Sequence, residues 1–293
     1  MVSKLLKYVP KHTYYLEAFG GGASLLFAKE PSPFEVYNDL DSGLVHFFKI
    51  LRDEEKFNKL YKKVCLTPYS RETYNWCRAN YKAIEDEIER AWAWYIVARW
   101  SFSGLFGASW RYNHKHISRG MPAACSKWLS IIEMLPEIHA RIMPVQIEHL
   151  DWKACMDKYD WEFSEGFYYL DPPYVPETRK GGKYAVEMTK EEHEELIEYL
   201  LVNQKKKRVM LSGYDNPIYQ KLEQYGWEKI SWNVGCSAVG RTRDTGIQGE
   251  GATHKHNQRR IECIWINYDP NEAQNANLPV FPQIPRVEGA CFV

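Results

Sequence analysis

Residues 14–19 read as a short strand, Gly20, Gly21 and Gly22 follow it, and a helix runs from about Ala23 to Lys29. A second strand at 34–37 and a helix at 44–51 complete the pattern. This rhythm opens a doubly wound α/β sheet, because parallel strands can be joined only by a crossover on the sheet face. It breaks over 53–99, which reads as helical throughout. There 85–99 is the clearest run, amphipathic and ending in a tryptophan-rich face. Residues 100–125 mix Gly, Ser, Asn, His and aromatics without either period and read as loops or a hairpin. Alternation then resumes: a helix near 127–139, strands near 144–149 and 166–170, a helix at 190–203, a strand at 208–213, a helix at 216–225, and strands near 228–234 and 261–267. Only the loop 235–260 separates the last two strands, which predicts an antiparallel pair at the sheet edge. The simplest assembly is one α/β domain from 1–51 and 140–270, interrupted by an inserted domain at 52–139. A Pro-rich tail, 271–293, is expected to run extended over the surface.

Composition excludes several classes. With 45% apolar and 26% charged residues the chain of 293 is globular, not disordered. Its apolar runs fall well short of the ~20 residues a membrane span needs, and its start has no secretion signal. Seven cysteines without a Cys-x-x-Cys pair suit reduced thiols and a cytoplasmic protein.

The net charge is zero, 38 basic against 38 acidic residues, which taken alone argues against a nucleic-acid partner. The charges are segregated, however. No acid lies between Glu89 and Glu133, while Arg90, Arg99, Arg111, Lys115, Arg119 and Lys127 are all there. The stretch 133–175 reverses this with nine acids and three bases, and 235–260 carries five bases and two acids.

Three constellations carry chemistry. Glu17-Ala18-Phe19-Gly20-Gly21-Gly22-Ala23 ends the first strand, where glycines let backbone approach a ligand and turn into a helix. It has neither the dinucleotide nor the phosphate-loop spacing, and an acid there repels phosphate. A ligand with a cationic end is favoured; the alternative is a tight turn without ligand. Asn38-Asp39-Leu40-Asp41 follows the second strand, about where a carboxylate takes ribose hydroxyls in nucleotide-binding α/β folds. Asp39 is the better candidate, Asp41 being equally a helix N-cap. Asp171-Pro172-Pro173-Tyr174 follows an apolar strand. Asp171 and the Pro172 carbonyl can accept both hydrogens of a planar amine while Tyr174 stacks on its ring, and the two prolines hold them in place. The alternative is a rigid turn.

In this order the motifs resemble the S-adenosylmethionine-dependent DNA N6-adenine methyltransferases of the DNA adenine methylase (Dam) type, over about residues 4–268. Further carriers are Asp151-Trp152, Met210 to Tyr214 and Arg260 to Tyr268, and the 149 positions from Gly22 to Asp171 leave room for a target-recognition insertion. The resemblance implies a Rossmann-like methyltransferase sheet with an inserted, mostly helical target-recognition domain. It implies S-adenosyl-L-methionine as cofactor and double-stranded DNA as partner, with a methyl group passed directly to N6 of a flipped adenine, without covalent intermediate, metal or membrane. Asp171, Pro172, Pro173 and Tyr174 would be catalytic. Glu17, Phe19, Gly20, Gly21 and Gly22 would border the methionine part of the cofactor, Asp39 its ribose and Asp151 its adenine amine. As alternatives, Asp151 caps the helix starting at Trp152 and Glu17 is a plain surface acid. Arg111, Tyr112, Asn113, Lys115 and Arg119 fall where the family carries its DNA-reading hairpin. Arg99 and Lys127 would touch phosphate, and loop 235–258, with Arg241, Arg243, His254 and Lys255, would order on DNA. His114-x-His116 and His254-x-His256 lack cysteine or carboxylate companions and are not read as metal sites. One departure stands out: the family's Trp/Pro-x-Gly-Gly-Lys segment does not precede the helix read at Ser3. The cofactor wall is then completed otherwise, the start is truncated, or affinity is lowered. Rival readings are a catalytically weak DNA-binding subunit and a methyltransferase acting on cytosine N4 or RNA.

Overall fold

The computed structural model describes residues 1–178, 186–235 and 259–271. In chain order, α1 (Val2–Leu5), β1 (Tyr14–Glu17), α2 (Ser24–Ala28), β2 (Phe34–Asn38) and α3 (Ser42–Arg52) form the first crossover unit. Four longer helices and a small hairpin follow: α4 (Glu54–Cys65), α5 (Arg71–Asn80), α6 (Glu87–Trp100), β3 (Ile117–Ser118), β4 (Met121–Pro122) and α7 (Ala123–Ile142). The chain then returns to the sheet with β5 (Gln146–Glu148), α8 (Trp152–Lys158), β6 (Gly166–Leu170), α9 (Lys190–Asn203), β7 (Val209–Tyr214), α10 (Gln220–Gln224), β8 (Glu228–Gly235) and β9 (Arg259–Ile266).

The seven-stranded sheet has the order β5-β2-β1-β6-β7-β9-β8. Its first five strands are parallel, and β9 runs antiparallel to both β7 and β8. The expected antiparallel edge pair is there, with β9 wedged inside and β8 at the rim. Strand β6 is buried along all five residues, as suits a central parallel strand covered on both faces. One apolar cluster lines one face and draws in α2, α3 and the helices α4 to α7; the other lies under α8, α9 and α10. The fold is therefore doubly wound. The helices of the long excursion share the core of the first face, since Trp100, Trp128 and Ile131 belong to one cluster with Tyr15 and Phe167.

Two local readings change. The stretch 53–99 is not one helical run but three helices, cut where Asp53, Ser70 and Asp86 cap the next N-terminus with their side chains. Helix α6 is not amphipathic: Ala91 to Val97 are all buried, because α3, α4 and α5 pack around it. The predicted helix at 216–225 shortens to α10. The segment 100–125 does hold a hairpin, turned at Arg119 (φ 51°) and Gly120 (φ 73°), the left-handed pair a tight two-residue turn needs. Among the described residues no helix is long and apolar enough to cross a membrane.

Candidate active site

The sheet order reverses direction between β1 and β6: the chain builds outward from β1 to β2 and β5, then comes back to lay β6 on the other side. Ligands of open α/β sheets bind in the crevice this leaves at the carboxyl ends of the strands. Glu17 ends β1, Asn38 ends β2 and Asp171 follows β6, so all three motifs meet at that crevice.

The glycine loop lies against β2. Gly20 N–H donates to the Asn38 carbonyl (2.8 Å), Gly21 N–H to Asp39 Oδ2 (2.8 Å), and Tyr37 hydroxyl to the Gly21 carbonyl (2.8 Å). Asp39 Oδ1 accepts from Asp41 N–H, and desolvation raises the Asp39 carboxyl above its ordinary range. Asp41 does cap α3, accepting from Gly43 and Leu44. A Cβ on Gly20 would lie 2.2 Å from Tyr37 Cε2, and that ring is held by its hydroxyl bond and by Phe48 edge-on at 4.8 Å. Gly20→Ala is therefore expected to cost about 2–3 kcal/mol and to open the loop. Chemical denaturation checks this; wild-type stability would contradict the packing.

Glu17 is not a surface acid. It is 1% exposed, and its Oε1 accepts from Tyr15 hydroxyl (2.6 Å) and Leu26 N–H (2.9 Å), while Oε2 has no partner among the described residues. Desolvation outweighs those bonds and lifts its carboxyl to about 8. Asn38, which the sequence reading passed over in favour of Asp39, stitches three strand ends: it donates to the Ala18 and Leu150 carbonyls and accepts from Leu150 N–H. Asp151 caps α8 through Oδ1, accepting from Lys153 and Ala154, and stays exposed beside the crevice. Next to it Phe19 and Trp152 stack at 6.4 Å.

On the β6 side Asp171 is open to solvent on one flank, yet protein crowds the rest of it. That desolvation, with the charge of Glu262 added, raises its carboxyl to about 7, while hydrogen bonds from Tyr169 and Tyr174 pull the other way. Tyr169 also meets Ser212 (3.1 Å), and Tyr174 stands edge-on to Tyr214 at 4.4 Å. Pro172 is buried. The register pairs Tyr214 with Glu262, so β7 and β9, both among the segments that carry the resemblance, contribute an aromatic wall and an acid for which the motifs imply no role. Cross-strand register, invisible in sequence, is what brings them in.

The site thus has a cradle open to close backbone approach, a buried acid beneath it, and a half-open acceptor flanked by aromatics across from it. The model of the D12 class N6 adenine-specific DNA methyltransferase family matches residues 1–235. The chain belongs to that family. This D12 methyltransferase methylates adenine N6 in DNA, and the aromatic-flanked acceptor is the kind of pocket a planar amine requires. Strand β9 lies outside the matched residues. No curated protein matches the chain.

The basic residues anticipated for DNA divide into groups. Arg99, Arg111 and Lys127 line one narrow recess with Tyr69, Trp100 and Trp128. Tyr112 is exposed and stacks on Trp110 at 5.9 Å, with the Arg71 guanidinium over both rings, a partner that no motif marks. Asn113 spends its side-chain oxygen on the first turn of α7, accepting from Ala124 N–H (2.7 Å). Arg119 is tied to α7 as well, donating to the Ser126 carbonyl (2.6 Å) and Ser130 (2.8 Å). Lys115 is exposed. Lys255, Arg241, Arg243 and His254 lie outside the described residues, as does the tail beyond Asn271. No group of three metal-ligating side chains occurs among the described residues.

Proposed function

We propose that this enzyme takes its methyl group from S-adenosylmethionine and acts on an adenine flipped out of double-stranded DNA. The observation that carries the reading is the position of Asp171, at the end of β6 beside β1, facing the glycine loop across the switch point of the sheet. The residues present fit such a cofactor: backbone can approach at Gly21, beside which the space is open, Glu17 suits a cation, Asp39 a hydroxyl pair, Asp151 an amine, and Phe19 with Trp152 a flat ring. When bound, the cofactor supplies an electrophilic methyl on a sulfonium.

Adenine N6 is inaccessible within a duplex, so the base must leave the stack. Its lone pair is delocalised into the ring. Asp171 and the Pro172 carbonyl, accepting both N6 hydrogens, favour a pyramidal nitrogen with its lone pair directed outward, while Tyr174, braced by Tyr214, stacks on the base. Asp171 raised to about 7 is also basic enough to take the proton that N6 sheds after transfer. The excursion 52–139 acts in this reading as the target-recognition region, with the hairpin β3–β4 and α7 toward DNA and the Arg99–Arg111–Lys127 recess against backbone phosphate.

Incubating the protein with duplex DNA and methyl-labelled S-adenosylmethionine, then separating nucleosides by mass spectrometry, should give label in N6-methyladenine only. Label in N4-methylcytosine, or none with calorimetric proof that the cofactor fails to bind, would overturn the reading.

A further inference from the structure

Beneath the glycine loop lies a charged cluster that the transfer reaction does not use. Arg141, in the last turn of α7, is fully buried, and its guanidinium forks onto both oxygens of Glu35 at 2.5 and 2.9 Å. It also donates to the Leu26 carbonyl in α2 at 2.8 Å. Glu35 takes Lys29 Nζ at 2.5 Å, and Lys29 lies 4.3 Å over the Tyr15 ring. Against the cost of burial, Lys29 and Arg141 hold the Glu35 carboxyl down to about 2. Leu26 is the pivot: its carbonyl is gripped from α7, while its N–H donates to Glu17, the acid under the glycine loop.

The opposite end of α7 carries the hairpin, fastened through Asn113 and Arg119. From Ala124, the first of the hairpin's attachments, Arg141 lies 17 residues on, about 26 Å of helix. Three buried charges are a poor way to gain stability, since apolar residues of similar volume usually do as well or better. What a planar ionic fork supplies beyond packing is direction: it fixes the angle between α7, β2 and α2.

We infer that Arg141 is a positioning residue that ties the set of the cofactor loop to the placement of the recognition helix, so that cofactor and DNA bind cooperatively. This rests on the proposed roles of the glycine loop and the hairpin. Linkage makes the effect reciprocal: whatever DNA does to cofactor affinity, cofactor does to DNA affinity.

The test uses the whole chain with Arg141→Lys, which keeps the charge but cannot hold Glu35 and Leu26 together. By calorimetry, the Kd for S-adenosylmethionine should rise roughly ten-fold. The Kd for a duplex that the wild-type enzyme methylates should stay within about two-fold, and kcat at saturation should change little. The ratio of cofactor Kd values with and without duplex should approach one. A folded Arg141→Lys protein with the wild-type cofactor Kd and ratio overturns the inference, as does a parallel loss of both affinities, kcat and melting temperature. Should the variant not fold, hydrogen exchange on the unsubstituted protein decides. Duplex alone should slow exchange at 24–29 as well as at 113–133. Slowing at 113–133 alone overturns the coupling. Slowing at neither segment overturns instead the assignment of DNA to the hairpin.

Discussion

Replacing Asp171 with alanine lowers kcat by at least about a thousand-fold while cofactor affinity stays within about three-fold. In the proposed mechanism the side chain acts on the amine, not on the cofactor, so its loss falls on kcat. An acceptor aimed at charge that develops only during transfer is worth that much once the flipped base covers its open flank. Asp171→Asn keeps one acceptor oxygen but not the charge, and retains more activity than alanine. The wild-type pH profile follows from the raised carboxyl: ionised above about 7 it accepts both as a hydrogen-bond partner and as a base, and protonated below it does neither. Activity therefore falls as pH drops through about 7, approaching ten-fold per pH unit, and the Asn variant loses this limb. An alanine variant with more than a tenth of wild-type kcat would remove Asp171 from the mechanism.

The second large effect concerns stability and its dependence on pH. Glu17 is buried with one oxygen unpartnered, and its carboxyl rises from 4.5 to about 8. A raised acid holds its proton more tightly in the folded state. Its stabilising share is complete below about 4.5, drains away as pH climbs, and is gone above about 8. The shift bounds the change at about 5 kcal/mol, partial relaxation of the site making the measured value smaller. Glu17→Gln cannot ionise, so its stability between pH 5 and 8 should decline less steeply than that of the wild type, the raised Asp171 carboxyl leaving a slope common to both. Denaturant melts at half-unit pH steps would show it; parallel curves for the two proteins would mean that Glu17 titrates normally. Cofactor binding should run the opposite way. A sulfonium favours the ionised carboxylate, so affinity in the wild type should climb as pH approaches 8, and the Gln variant should lack the climb.

Much of the architecture is legible from local pattern. Strand, glycines, helix, strand at 14–51 specify a crossover unit, and the short reach between the last two strands specifies their antiparallel pairing. The motif residues also arrive where an α/β switch point requires. What pattern cannot supply is contact between distant positions. Glu35 and Arg141 lie 106 residues apart, Asn38 and Leu150 lie 112 apart, and nothing in either stretch marks them as partners. The motif marks Glu17 as an acid beside the glycines, but nothing local marks it as buried until the sheet closes over it. Asn113 and Arg119, read as DNA contacts from the family resemblance, fasten the hairpin, because a two-residue-strand hairpin has too few ladder bonds to hold itself. The charge segregation was informative where the net charge was not: Arg99, Arg111 and Lys127 do converge on one recess.

Strand β9 bears on how the chain acquires its shape. Among the described residues it is the last strand in sequence, yet it is laid between β7 and β8, each of which pairs with it and not with the other. Until residues 259–266 leave the ribosome, β8 has no partner and β7 shows a bare edge, while the five parallel strands can already assemble. Closure of the sheet thus waits for β9, and it brings in Glu262, the charge next to Asp171, in the same step. A nascent chain stopped short of β9 would carry the glycine loop, Asp39 and the Asp171–Tyr174 motif and still lack the finished acceptor.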